Sequence, residues 1–216
     1  MSTLETLRSA LIEFDEKRTL DITRKLVAQE GVTPHSVLTA CQDALRVVGE
    51  RYEREEYFIS GLIMAGELFK EVLELVQPSY EKTEPGSEGT IVLGTVAKDI
   101  HDIGKNLFAT SLRGFGFEVI DLGVDVAPER FLEEVQRSKP DVVCMSALIA
   151  LAFESMQQTI ELLDAHAPEP GSRPPVIVGG AIIDSRVCDY VGADSWSTDA
   201  MEGVRICQRL VAKSST

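Results

Sequence analysis

The side chains of this chain best suited to chemistry lie in one run, Asp99-Ile100-His101-Asp102-Ile103-Gly104-Lys105-Asn106. The run holds one of only three histidines, with an aspartate two positions before it and another directly after. An imidazole can ligate a metal through one ring nitrogen while a carboxylate receives the other, which fixes the tautomer and raises the ligand's basicity. Asp99 and His101 are the candidate pair for that work. Asp99, His101 and Asp102 together could instead hold Mg²⁺ or Zn²⁺, although no further acidic ligand is evident at the other candidate strand ends. His101 alone could also be a loop histidine capping the next helix, and Asp102 reads as a charge at that helix's start.

Two other segments have the composition of a binding slot. Ser146-Ala147-Leu148-Ile149 offers one polar group among small and apolar residues, which suits a flat heterocycle better than a charged sugar. Gly179-Gly180-Ala181 lets a ligand approach the main chain closely. The loop around His101 has neither a Gly-x-Gly-x-x-Gly nor a Walker lysine pattern, which argues against dinucleotides and nucleotides.

These segments need a scaffold, and the chain reads as two parts. Residues 1–80 read as a helical bundle, with Leu4, Leu7, Leu11 and Phe14 at helical intervals. A second helix runs over about Leu20 to Gln29, with Gly31 placed to end it. Thr33-Pro34 signals the next start, followed by the stripe Val37, Leu38, Cys41, Ala44, Leu45 and Val48. Leu62, Ile63, Phe69, Val72, Leu73 and Val76 form the last stripe, stopped before Pro78. His35 is expected to face solvent. Residues 81–89 are polar and rich in Pro and Gly, as a linker should be. Residues 90–216 alternate strand and helix. Strands are expected over Ile91 to Val96, Glu118 to Leu122, Asp141 to Ser146, Pro175 to Val178 and near Ser195-Trp196. Helices lie between them, the first running from Gly104 to Arg113 with Gly114 as its C-cap. The expectation is a doubly wound α/β domain with a five-stranded parallel sheet, Rossmann- or flavodoxin-like. All three candidate segments then fall at strand carboxyl ends, where such sheets bind ligands.

Composition narrows the classes. Among 216 residues, 35 acidic side chains outnumber 21 basic ones, for a formal charge of −14. A nucleic-acid binder normally presents a basic face, so no nucleic acid is expected as a partner. The four cysteines, Cys41, Cys144, Cys188 and Cys207, show no Cys-x-x-Cys spacing and read as reduced, mostly buried thiols. No signal peptide and no apolar run of membrane-spanning length is present, so a soluble, cytoplasmic protein without membrane contact is expected.

Asp99-x-His101-x-x-Gly104, then Ser146-x-Leu148, then Gly179-Gly180, resembles the signature of cobalamin-binding domains of the methionine synthase type. Val119-Ile120-Asp121-Leu122-Gly123-Val124 and Val178-Gly179-Gly180-Ala181 are similar as well. Tyr57-Phe58-Ile59 followed by Leu62, Met64 and Ala65 resembles the helical cap over the cofactor's upper face. A chain holding only cap and cobalamin domain resembles the corrinoid proteins of three-component methyltransferase systems.

The resemblance implies roles residue by residue. His101 would displace the cofactor's dimethylbenzimidazole and coordinate cobalt from below. Asp99 would accept the hydrogen bond from the other imidazole nitrogen. Ser146 would continue that relay or touch the displaced nucleotide tail. Gly104, Leu148, Gly179 and Gly180 would wall the tail's slot, with Asp102, Ile103, Ile149, Ala181, Asp199 and Ala200 beside it. Phe58 and Leu62 would shield the upper face. The chain departs from the family pattern at Ala97-Lys98, where Lys-Gly is frequent, and at Ala150, where a threonine is. It also has Ile59-Ser60-Gly61 where the cap often carries a glutamate or glutamine.

The function implied is a methyl carrier with methylcobalamin as its intermediate, an enzyme component without complete turnover alone. Its partners would be a substrate:corrinoid methyltransferase, a second methyltransferase acting on tetrahydrofolate or a thiol, and a reductive activase. A cobalamin-binding sensory module is the alternative. A receiver-like flavodoxin fold without cofactor is disfavoured, because Ser146 stands where a phospho-acceptor aspartate would be.

Overall fold

The structure is a computed structural model that describes residues 3–29, 31–77 and 88–214. Pro78 and most of the expected linker, residues 81–87, lie outside the described residues. The chain divides into two compact units, Met1–Lys82 and Thr83–Thr216.

The first unit has four described helices: α1 (Thr3–Ile12), α2 (Glu16–Val27), α3 (Pro34–Glu53) and α4 (Ile59–Val76). Asp15 caps α2 by accepting the Arg18 N–H at 3.0 Å, and Thr33 caps α3 by accepting the Ser36 N–H at 3.2 Å. Each cap satisfies a main-chain donor that the first helical turn leaves unpaired. Leu7, Leu11, Leu38, Cys41, Val48, Phe69 and Val72 are fully buried between the helices. Three expectations fail here. Phe14 is not the last apolar position of α1; it turns the chain in the left-handed region (φ 57°) and packs on Tyr57, ring centroids 5.1 Å apart. Ile63 is 61% exposed and lies off the apolar stripe of α4. His35 is half-buried in the first turn of α3 rather than open to solvent.

The second unit alternates β1 (Thr90–Thr95), α5 (Ile103–Gly114), β2 (Glu118–Asp121), α6 (Pro128–Ser138), β3 (Val142–Ser146), α7 (Phe153–Ala165), β4 (Val176–Gly179), α8 (Ser185–Val191), β5 (Ser195–Ser197) and α9 (Ala200–Ser214). All paired strands are parallel, in the order β2-β1-β3-β4-β5. This is the flavodoxin-like winding, with its switch point between β1 and β3. Alternate residues of β1 supply opposite layers. Ile91 and Leu93 join the core under α5 and α9, whereas Val92 joins the core with Phe131, Met156 and Ile160. Gly94 is needed on that second face, since a Cβ there would stand 2.9 Å from Phe131 Cζ. Gly114 is the last residue of α5 and not its left-handed cap; that conformation falls on Gly116 (φ 91°).

Candidate functional site

β1 and β3 run side by side, and their carboxyl ends deliver Asp99 to His101 and Ser146 to Ile149 to the switch point. Asp99 is 1% exposed, whereas the His101 side chain is 51% exposed. His101 Nδ1 lies 2.6 Å from Asp99 Oδ1. A carboxylate only accepts, so Nδ1 carries a proton and donates it to Asp99, which leaves Nε2 as the ring nitrogen not engaged by the carboxylate. Among the described residues Nε2 has no hydrogen-bond partner. An imidazole in this state is a ready metal ligand with its orienting partner in place.

Asp99 is held as firmly as it holds. Its Oδ1 also accepts the His101 main-chain N–H at 2.9 Å, and Oδ2 accepts the Leu148 and Ile149 N–H groups at 2.6 and 3.2 Å. Burial is the largest single influence on its pKa and pushes it up. The hydrogen bonds from Leu148 and His101, with the His101 charge, outweigh burial and hold the carboxyl below its ordinary value. Asp99 therefore stays an anion.

Ser146 bonds to Thr95 and not to Asp99: the two hydroxyls are 2.8 Å apart. Thr95, fully buried, also reaches the His101 carbonyl at 3.2 Å. Both contacts are satisfied only if Ser146 donates to Thr95, which leaves Ser146 Oγ as an acceptor. Asp102 does not converge on the imidazole; its Oδ2 accepts from Asn106 Nδ2 at 3.1 Å. No group of three potential metal-binding side chains exists among the described residues, which removes the Mg²⁺ or Zn²⁺ reading. Asp199 is occupied at the start of α9, where its Oδ1 accepts the Glu202 N–H at 2.8 Å ahead of Ala200. Phe58 (82% exposed) and half-buried Leu62 belong to the helical unit, beside exposed Ile59, Ile63 and Met64.

Two glycines have opposite surroundings. A Cβ on Gly180 (φ 142°) would sit 1.9 Å from the Ala147 carbonyl oxygen, so the loop after β4 needs glycine to pass the loop after β3. A Cβ on Gly104 would meet nothing within 4 Å. Internal packing thus does not require Gly104, and the missing side chain leaves room beside half-buried Ile103. Around the same sheet edge, Ile100, Val124, Leu148, Leu151 and Ile182 are exposed, and Ala181 is open as well. An apolar rim of this kind marks a surface that something covers. These residues could hold a corrinoid: the exposed apolar side chains would lie against the macrocycle, His101 Nε2 is the nitrogen that could ligate cobalt, and the open space beside Gly104 could take a nucleotide tail.

Three contributors carry no signal in the residue pattern. Thr95 and Asp125 act on the main chain of the His101 loop, and Lys105 forms a buried ion pair with Asp121 at 2.6 Å across α5 and β2. Lys105 and Asn106 lie in the motif itself, but their partners were not visible in its spacing.

A parallel, switch-point α/β unit with a carboxylate-oriented imidazole and a glycine-spaced cradle is the build of a cofactor-binding protein. The chain belongs to the B12-binding family: one B12 binding domain model matches residues 89–205 and another matches residues 3–77. Cobalamin or a related corrinoid is its cofactor. A corrinoid protein of Desulfitobacterium hafniense is 32% identical over 99% of both chains. Trimethylamine corrinoid protein 2 of Methanosarcina acetivorans is 33% identical over 91% of both chains. The monomethylamine corrinoid protein of Methanosarcina barkeri is 25% identical in structure alignment, with a TM-score of 0.86 over 96% of this chain and 98% of that one.

Proposed function

We propose that this chain is a methyl carrier. It takes a methyl group from a substrate-specific methyltransferase and yields it to a second methyltransferase whose acceptor is tetrahydrofolate or a thiol, with a reductive activase restoring the carrier. The observation that carries this reading is the Nδ1-anchored His101 with its half-exposed side chain. The likeness to methylamine corrinoid proteins over nearly the whole chain supports it and makes methylated amines the first donors to test.

The bound corrinoid supplies the cobalt on which the methyl group rides; the protein binds, orients and tunes it. His101 would hold the cobalt through Nε2. Asp99, fixed by two amides of the β3 loop, keeps that nitrogen aimed and basic. Ser146 offers an acceptor oxygen to a donor on the tail. Gly104, Leu148, Ile149, Gly179 and Gly180 leave and bound the tail's space. Phe58 and Leu62, on the helical unit, keep in this proposal only the shielding role that the resemblance implies.

The full chain, reconstituted with cobalamin, should be orange to red, and His101→Ala should change its visible spectrum. Reduced and mixed with a methylamine:corrinoid methyltransferase and methyl-labelled amine, it should retain label through gel filtration. An unchanged spectrum in His101→Ala overturns the assigned ligand. Cobalamin binding without label uptake from any methyltransferase partner would identify a sensory module instead.

A further inference from the structure

Resting on that reading, we propose that Asp125, on the loop between β2 and α6, is a positioning residue for the cobalt-binding histidine. Two non-glycine residues in the left-handed region face each other beside the site, Lys98 (φ 72°) and Asp125 (φ 52°). The Lys98 N–H donates to Asp125 Oδ1 at 2.8 Å, and the Asp125 N–H donates to the Asp99 carbonyl at 2.9 Å. The two bonds bracket Asp99, one on each side. Backbone of this kind costs energy and persists only where the surroundings over-determine it.

The surroundings do so here. The Thr95 N–H bonds the Gly123 carbonyl and the Val126 N–H bonds the Thr95 carbonyl, both at 3.0 Å, so the Asp125 loop is zipped to the end of β1. The Lys98 side chain does not hold the turn. Its ammonium lies 3.6 Å from Glu154 with both side chains more than half exposed, an arrangement worth little. Asp125 therefore sets the chain's path into Asp99. That path turns the Asp99 carboxylate inward, where it collects the Leu148 and Ile149 amides and still reaches His101 Nδ1. Asp99 orients the ring; Asp125 orients Asp99.

The test uses the full chain loaded with cobalamin and reduced to the cobalt(II) form. An axial imidazole nitrogen splits the cobalt EPR lines into three. Asp125→Gly keeps the left-handed turn free of strain but removes the acceptor. It should lower the fraction of three-line signal and weaken cobalamin binding by up to about 10-fold, the low end of what losing a metal ligand's own hydrogen-bond partner costs, since Asp125 acts one step further out. Asp125→Asn retains an acceptor oxygen and tolerates the same backbone region, so it should behave as wild type. An Asp125→Gly chain with wild-type splitting and affinity overturns the inference. A wild-type signal without splitting, or one that survives His101→Ala, overturns the carrier's assigned ligand and this inference with it. In the wild-type apoprotein, the Lys98 and Asp125 amides should exchange slowly with solvent; unprotected amides there overturn the inference without any variant.

Discussion

His101 meets Asp99 twice at one atom: Asp99 Oδ1 accepts both the His101 main-chain N–H, at 2.9 Å, and ring Nδ1, at 2.6 Å. One contact fixes the start of the loop and the other fixes the ring, so the ring cannot swing without giving up its bond to Asp99. The second carboxylate oxygen ties the same unit to β3 through Leu148 and Ile149. A single buried carboxylate thus joins two strand ends to the imidazole.

Asp99→Asn tests how much that junction stabilises the fold before any cofactor binds. The variant keeps the shape but turns one acceptor oxygen into an NH₂ group facing N–H donors. Either the His101 pair or the Leu148 and Ile149 pair is then left unsatisfied in a buried site. The expected loss is about 1–3 kcal/mol, the usual cost of stranding such donors. Urea unfolding of the apoprotein measures it, and an unmoved midpoint would refute the assigned bonds.

The same carboxylate should shape the acid limb of stability. Its folded pKa lies below its ordinary value, because hydrogen bonds and the His101 charge outweigh burial. A depressed carboxyl pKa stabilises the folded state above the unfolded value, about 3.9 for aspartate. That contribution fades as pH falls from there through the folded pKa. Apoprotein melts between pH 7 and pH 3 should therefore show the wild type's advantage over Asp99→Asn shrinking on the acid side. A constant difference across that range would contradict the shift.

The thiols offer an independent check on the two cores. Cys41, Cys144, Cys188 and Cys207 are all buried and unbridged. Burial pushes the Cys41 thiol up to about 12. Burial also raises Cys144 well above the ordinary value, helped by Cys207, whose sulfur is 4.0 Å away. Thiolate is the reactive form, so a chromogenic disulfide reagent should find almost no thiol in the native protein near pH 8 and all four in denaturant. Fast native reaction would show that a core opens.

Much of this architecture was legible as pattern. The apolar runs of β1, β3 and β4 and the helix signals between them determine a parallel sheet, and a parallel sheet places its loops at one edge. That brought Asp99, His101, Ser146 and the glycine pair to the same end of the domain. What stayed hidden works through the main chain. Asp125 and Thr95 act on amides and carbonyls of the His101 loop, and such bonds leave no mark in residue spacing. The Ser146 hydroxyl could be placed at the site but not pointed, because its partner Thr95 sits within β1, where a threonine reads as an ordinary strand former. Phe14 continued a helical stripe by type; its contact with Tyr57, which draws it out of the helix, is tertiary.

Gly104 and Gly180 should respond oppositely to the same methyl group. Gly180→Ala puts a carbon 1.9 Å from the Ala147 carbonyl oxygen, at a φ of 142° that L-residues rarely adopt. The loop must move, and the apoprotein should lose at least about 1–3 kcal/mol. Gly104→Ala meets nothing within 4 Å and lies in the first turn of α5. Alanine is the better helix former, so the apoprotein should gain up to about 0.5–1 kcal/mol. The gained methyl group occupies space assigned to the nucleotide tail, and cobalamin affinity should fall as apoprotein stability rises. Binding of cobinamide, which lacks the tail, should be spared. Thermal melts with parallel binding titrations of the two corrinoids decide the matter, and equal losses for both would remove Gly104 from the tail's cradle.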